Sequence, residues 1–96
     1  MITRYRVILS EPALVDLGEL AVKIAEDRGE DVANSYTRRL EAYCQSLSTF
    51  PHRGLLCPDI GPNMRRIGFE RRVTVYFRIN SDEVVIARLL YAGRQP

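Results

Sequence analysis

Lysine is almost missing from this 96-residue chain: of its 14 basic residues, 13 are arginine and only Lys23 is not. Tryptophan is absent, histidine occurs once and cysteine twice. These scarcities exclude several functions. Cys44, His52 and Cys57, separated by 8 and 5 residues, match no finger or ribbon spacing, so no metal site and no cofactor are expected. Spacing alone leaves a Cys44–Cys57 disulfide open, but Cys44 falls on a helical core row, and both are expected as reduced structural thiols. No apolar run is long enough to cross a bilayer. The opening stretch MITRYRVILSEPA lacks a signal core followed by a cleavage site, so the cytoplasm is the expected compartment, without membrane association. A net charge of +2, with no groove-reading motif, is too small for a domain that lives on phosphate contacts. Independent sequence-specific binding to nucleic acid is therefore not expected.

What the chain does have is 46% hydrophobic residues, enough for one domain with one core across residues 1–96. Residues 4 to 9, RYRVIL, alternate Tyr5, Val7 and Leu9 against Arg4 and Arg6 and predict a strand. Ser10, Glu11 and Pro12 then supply a cap, a first-turn carboxylate and a residue that needs no N–H donor, so a helix is expected to start there. Its apolar row is Ala13, Leu14, Leu17, Leu20, Ala21, Ile24 and Ala25, and Gly29 ends it. A second helix follows, with Val32, Ala33, Tyr36, Leu40, Tyr43, Cys44, Leu47 and Phe50 as its apolar row and Pro51 as its stop. The short link makes the pair a helical hairpin.

Residues 51 to 63, PHRGLLCPDIGPN, read as a long loop with Leu55, Leu56 and Ile60 tucked inward. Met64 to Phe69 is expected to be extended. Residues 72 to 79 alternate Val73, Val75, Phe77 and Ile79 against Arg72, Thr74, Tyr76 and Arg78. After a turn at Asn80, Ser81 and Asp82, the last strand sets Val85, Ala87, Leu89 and Tyr91, as the core row, against Val84, Ile86, Arg88 and Leu90. The expected class is α+β: a strand, a helical hairpin, then a three-stranded antiparallel sheet (β-α-α-β-β-β), with the helices on one sheet face. The other face is expected to be open and concave, with Arg72, Tyr76, Arg78 and Arg88 among apolar side chains.

Charge is uneven. Residues 1 to 50 carry six basic and eight acidic side chains, while 51 to 96 carry eight and four, so the sheet half is electropositive. RRIGFERR, residues 65 to 72, holds four of these arginines. Guanidinium groups hold and orient anions but stay charged and cannot take up a proton near neutrality. Cleavage of RNA through a ribose 2′-hydroxyl needs both a proton acceptor and a proton donor. The available candidates are His52, Asp59, Glu70, Tyr76 and Tyr91. His52 reads as a solvated loop residue, Glu70 as an arginine partner at a turn, and Tyr91 as a packed ring with its hydroxyl at the rim. Arg38 and Arg39, on the second helix, are expected to be solvated.

The chain resembles the ParE branch of the ParE/RelE toxins of bacterial toxin–antitoxin pairs. The likeness is carried by YRVILSEPALVDLGEL, LSTFPHRG, NMRRIGFERRVTVYFRI and EVVIARLLYAGRQP, in that order over nearly the whole chain. The resemblance implies a cognate ParD-like antitoxin whose C-terminal segment wraps the toxin in a hetero-oligomer, and DNA gyrase as the target. The alternative it leaves is the RelE branch, ribosome-dependent mRNA endonucleases that use basic sheet residues and a tyrosine in an extension beyond the last strand. The chain stops two residues after Arg94 and its sheet half has no lysine, so a non-enzymatic inhibitor is expected. Arg65 matches the arginine that leads the family's central strands and Arg94 the one in its terminal tail. With Tyr91 they are the residues expected to act on the target, an ion pair of Arg65 with Asp59 or Glu70 being the alternative. Arg72, Tyr76, Arg78 and Arg88 are expected to meet an acidic antitoxin segment whose apolar side chains cover Val84, Ile86 and Leu90.

Overall fold

A computed structural model of the chain describes residues 4–91. The first strand, β1 (Arg6–Leu9), leads directly into helix α1 (Glu11–Arg28). The helix begins where expected: the Ser10 hydroxyl accepts the Ala13 N–H at 3.3 Å, with Glu11 and Pro12 in the first turn. It ends at Gly29, whose φ of 97° lies in the left-handed region. That single residue turns the chain into α2 (Glu30–Gln45), which packs beside α1 and buries Ala33, Tyr36, Leu40 and Cys44. The second helix ends earlier than its apolar row predicts. A 3-10 turn at Ser46–Ser48 carries Leu47 inward, and Phe50, at φ 50°, is left 71% exposed rather than packed.

Four further strands follow: the two-residue β2 (Leu55–Leu56), β3 (Met64–Phe69), β4 (Val73–Asn80) and β5 (Glu83–Tyr91). The α+β class and element order hold, but the sheet has five strands rather than three, in the order β1-β5-β4-β3-β2. β1 joins β5 in parallel, from Arg6 opposite Glu83 to Leu9 opposite Ile86. The other pairings are antiparallel. Both helices lie on one face, over a core that includes Leu20, Leu40, Leu47, Val75, Phe77 and Ile86. Burying each such side chain contributes roughly 2 kcal/mol.

Two expectations about the opposite face are corrected. Between Tyr76 and Phe77 the register shifts by one: Phe77 faces Ile86 and Tyr76 faces Arg88, so Ala87 is an extra residue, a β-bulge. The bulge reverses the alternation along β5. Val84 and Ile86 point into the helix-side core and are fully buried, while beyond the bulge Leu89 and Tyr91 take that side. A partner therefore cannot cover Val84 or Ile86. Nor is the face fully open, because Cys57, Met64, Tyr76 and Leu90 form a second small core there, with Ala87 against it. Leu55, Leu56 and Ile60, expected inside, are exposed, and Cys57 and Met64 take their place. The β2 segment lies close against β3 at Gly54, where a Cβ would fall 2.1 Å from the Arg66 carbonyl oxygen.

β1 covers the edge of β5 only as far as Ile86, and the start of α1 satisfies the rest. The Ser10 N–H donates to the Ile86 carbonyl at 2.9 Å, and its hydroxyl donates to the Ala87 carbonyl at 3.0 Å. Asp16 accepts the Leu89 N–H at 2.9 Å and both arms of the Arg88 guanidinium at 2.7 and 2.9 Å. Its side chain is 10% exposed. Deleting a largely buried acceptor that meets three donors leaves a charge and a backbone N–H without partners. Asp16→Ala is expected to lower stability by about 2 kcal/mol, roughly 10 °C in Tm. Asp16→Asn, which keeps one acceptor for Leu89, should recover part of that loss in the same thermal denaturation measurement.

Candidate functional site

The cluster RRIGFERR does not form one patch, because it runs along β3 and then around the hairpin to β4. Arg65 lies opposite Phe77 in the sheet register, and its Nη1 donates to the Arg53 carbonyl at 3.3 Å. Arg53 in turn donates to the carbonyls of Ser46, Thr49 and Phe50, so these two arginines tie the end of the helical hairpin to the sheet. Arg66 is opposite Tyr76, on the other face. Neither carboxylate suggested for Arg65 pairs with it among the described residues.

The turn is made by Glu70 and Arg71, with φ of 48° and 59°, and closed by the Arg72 N–H donating to the Phe69 carbonyl at 3.0 Å. Left-handed backbone is disfavoured for residues other than glycine, and here a fork holds the turn. Arg39 Nε and Nη2 donate to the two carboxylate oxygens of Glu70 at 2.8 and 3.0 Å, while Ser35 accepts from Arg39 Nη1 at 2.8 Å. The bond from Arg39 holds the Glu70 carboxyl below the usual glutamate range and raises the guanidinium in return. Arg39, expected to be merely solvated, is thus the partner of the turn.

Beside this fork lies a cavity of about 350 Å³ on the helix side, lined by Tyr36, Arg39, Glu70, Arg72 and Tyr91 together with residues of α1. Arg72 Nη1 donates to the Tyr91 hydroxyl oxygen at 3.3 Å. Tyr36 packs edge-on against Phe69, with centroids 5.5 Å apart, and Arg39 lies over its ring. The Tyr36 hydroxyl is buried and has no hydrogen-bond partner among the described residues. Burial pushes its pKa up, so it keeps its proton.

On the opposite face Tyr76 is only 4% exposed, inside the small second core rather than on an open surface. It lines a cavity of about 140 Å³ with Asp59 and Arg66. Arg78 is partly exposed and forms no ion pair among the described residues. Arg88 is committed to Asp16 instead of facing a partner. Of the residues expected to act on the target, Arg65 and Tyr91 lie near opposite ends of the sheet. Tyr91 is level with Val73 and Phe69, four residues along β3 from Arg65, roughly 13 Å. Arg94 lies outside the described residues. His52 is exposed in its loop. Cys44 is fully buried and Cys57 nearly so; both are free thiols, and burial raises the Cys44 thiol to about 11. No group of three or more potential metal ligands occurs among the described residues, and no helix among them is long and apolar enough to cross a membrane.

The sequence reasoning missed Tyr36, Arg39 and Asp16. Tyr36 and Arg39 are one turn apart on α2, a spacing that offers a signal for a shared face, but their partners come from the distant hairpin. Asp16, an acid between Val15 and Leu17, carried no sign that a strand edge would reach it.

A family model described as the ParE toxin of the type II toxin-antitoxin system parDE matches residues 7–96. Toxin ParE3 of Caulobacter vibrioides is 33% identical over 85 residues, covering 88% of this chain and 84% of its own length. Among solved structures, the chromosomal ParDE TA system from P. aeruginosa has a chain that matches with a TM-score of 0.80 at 19% identity. That match covers 93% of this chain and 97% of the other, and establishes likeness of fold.

The Arg39–Glu70 fork has a definite pH signature. Because the folded pKa of Glu70 is lowered, its stabilising contribution is fully present above 4.5, the ordinary glutamate value, and is lost as pH falls through the depressed folded value. The difference in Tm between the natural protein and Glu70→Gln should therefore be constant at neutral pH and shrink on acidification below 4.5.

Proposed function

The chain belongs to the ParE toxin family of type II toxin–antitoxin systems, and we propose that it inhibits DNA gyrase without chemistry of its own and is neutralised by a cognate ParD-like antitoxin in the cytoplasm. The observation that carries this reading is the state of the sheet-half arginines. Arg66, Arg71 and Arg78 form no ion pairs among the described residues, so their charge is available to an acidic protein surface. None is a proton carrier. Three of the five groups that could move a proton are engaged or distant: Glu70 is held by Arg39, Tyr91 accepts from Arg72, and His52 is in an exposed loop.

Arg65 and Arg94, with Tyr91, are the proposed gyrase contacts. Arg72 and Arg78, at opposite ends of β4, are the proposed antitoxin contacts. Tyr76 supports the Arg78 side of the sheet from beneath, Arg72 lies instead on the helix side, and Arg88 contributes through the Asp16 anchor rather than by direct contact. The ribonuclease alternative has one observation in its favour, the meeting of Asp59, Arg66 and Tyr76 around the small cavity, which supplies a carboxylate, a cation and a phenol.

A supercoiling assay with purified gyrase separates the two readings. Inhibition is expected, unchanged by Asp59→Asn. Normal supercoiling together with mRNA cleavage in a translating extract, abolished by Asp59→Asn, would establish the ribonuclease instead. Arg94→Ala should end growth arrest and leave antitoxin affinity nearly intact. Arg78→Glu should weaken the antitoxin complex roughly tenfold at low salt and by less at high salt, where surface charges are screened.

A further inference from the structure

A hydroxyl shut away from water without a partner is costly, and natural folds rarely retain one unless something meets it in use. Tyr36 is such a case: the residue is 6% exposed and its hydroxyl bonds to nothing among the described residues. The charged and polar groups whose fields reach it are Glu70, Arg72, Tyr91 and Arg39, all of which line the helix-side cavity. Tyr36 itself lines that cavity.

The donors around it are unevenly used. Arg39 is spent on Glu70 through two short bonds. Arg72 makes one long contact, 3.3 Å, to the Tyr91 oxygen, and no ion pair among the described residues. That contact uses the Tyr91 oxygen as acceptor and leaves the Tyr91 proton available. Three residues of one cavity thus have donors to spare: the Tyr36 O–H, the Tyr91 O–H and the remaining N–H groups of Arg72. Two carboxylates line the cavity: Glu70 is neutralised by Arg39, and Asp27 has Lys23 at 3.9 Å.

We propose that Tyr36, Arg72 and Tyr91 form a binding site for a single oxyanion, the carboxylate of an acidic side chain or a free phosphate, on the helix side of the sheet. One guanidinium supplies charge and two phenols supply direction, in a cavity large enough to admit a side-chain terminus from outside. The site lies on the opposite side of the sheet from Arg66, Tyr76 and Asp59, and it shares Tyr91 and Arg72 with the contacts proposed above. Its signature is a conflict between stability and binding. The Tyr36 ring packs on Phe69 and under Arg39, contacts that phenylalanine preserves, so only the hydroxyl's burial cost and its bond to the ligand are lost in Tyr36→Phe.

The test is a titration followed by NMR at constant ionic strength, with inorganic phosphate and, separately, N-acetylglutamate N-methylamide. Saturable shifts confined to Tyr36, Arg72, Tyr91 and their neighbours are expected, weakened roughly tenfold in Tyr36→Phe and in Arg72→Gln. Tyr36→Phe should at the same time melt about 4 °C or more higher than the natural protein. Tighter binding of the glutamate derivative assigns the site to an acidic protein side chain, and tighter binding of phosphate assigns it to the free ion. Shifts that rise linearly, spread over all arginines or persist unweakened in Tyr36→Phe overturn the proposal. So does a Tyr36→Phe protein that melts lower, since its hydroxyl would then be holding the fold together.

Discussion

The carboxylate of Asp16 joins the two layers of this protein. A sheet strand needs every backbone donor and acceptor on its edge to be met, and β5, between β1 and β4, loses its parallel neighbour after Ile86. The remainder of its edge is met by the start of α1, first through Ser10 and then through Asp16. The helix is thereby held alongside the strand, and Arg88 closes the arrangement from the strand side. This attachment holds α1 over the sheet, while the Arg65–Arg53 contact and the Arg39–Glu70 fork hold the rest of the hairpin.

The element order was legible because each boundary carries a chemical marker: Ser10 with Pro12 at the start of α1, Gly29 between the helices, the polar turn at Ser81 and Asp82. The phase of β5 was not. Alternation assumes one residue per step, and the bulge at Ala87 adds one that no side-chain pattern announces. Val84 and Ile86 were consequently placed on the wrong face. The loop deceived for a different reason. Hydrophobicity marks Leu55 and Leu56 as inward-facing, yet the burial goes to Cys57 and Met64, next to Tyr76 and Leu90.

The candidate sites were legible as residue types and not as groupings. Arginines 65 to 72 attract notice as a cluster, but a strand followed by a left-handed turn sends them to separate duties: Arg65 to a loop carbonyl, Arg72 to Tyr91, Arg66 to the opposite face. The anticipated acid–base pair at a turn is present in Glu70, although its partner, Arg39, comes from the middle of α2. These pairings join residues 12 to 31 positions apart, and only the fold brings them together.

Gly54 carries a consequence of its own. Its backbone passes so near the Arg66 carbonyl that even alanine would collide there, and its φ of 75° already disfavours any side chain. A missense change at that codon would pry the short β2 hem away from β3 and let solvent in over Cys57 and Tyr76. Lineages carrying this chain should thus have almost no freedom at position 54, whereas the exposed leucines that follow can drift.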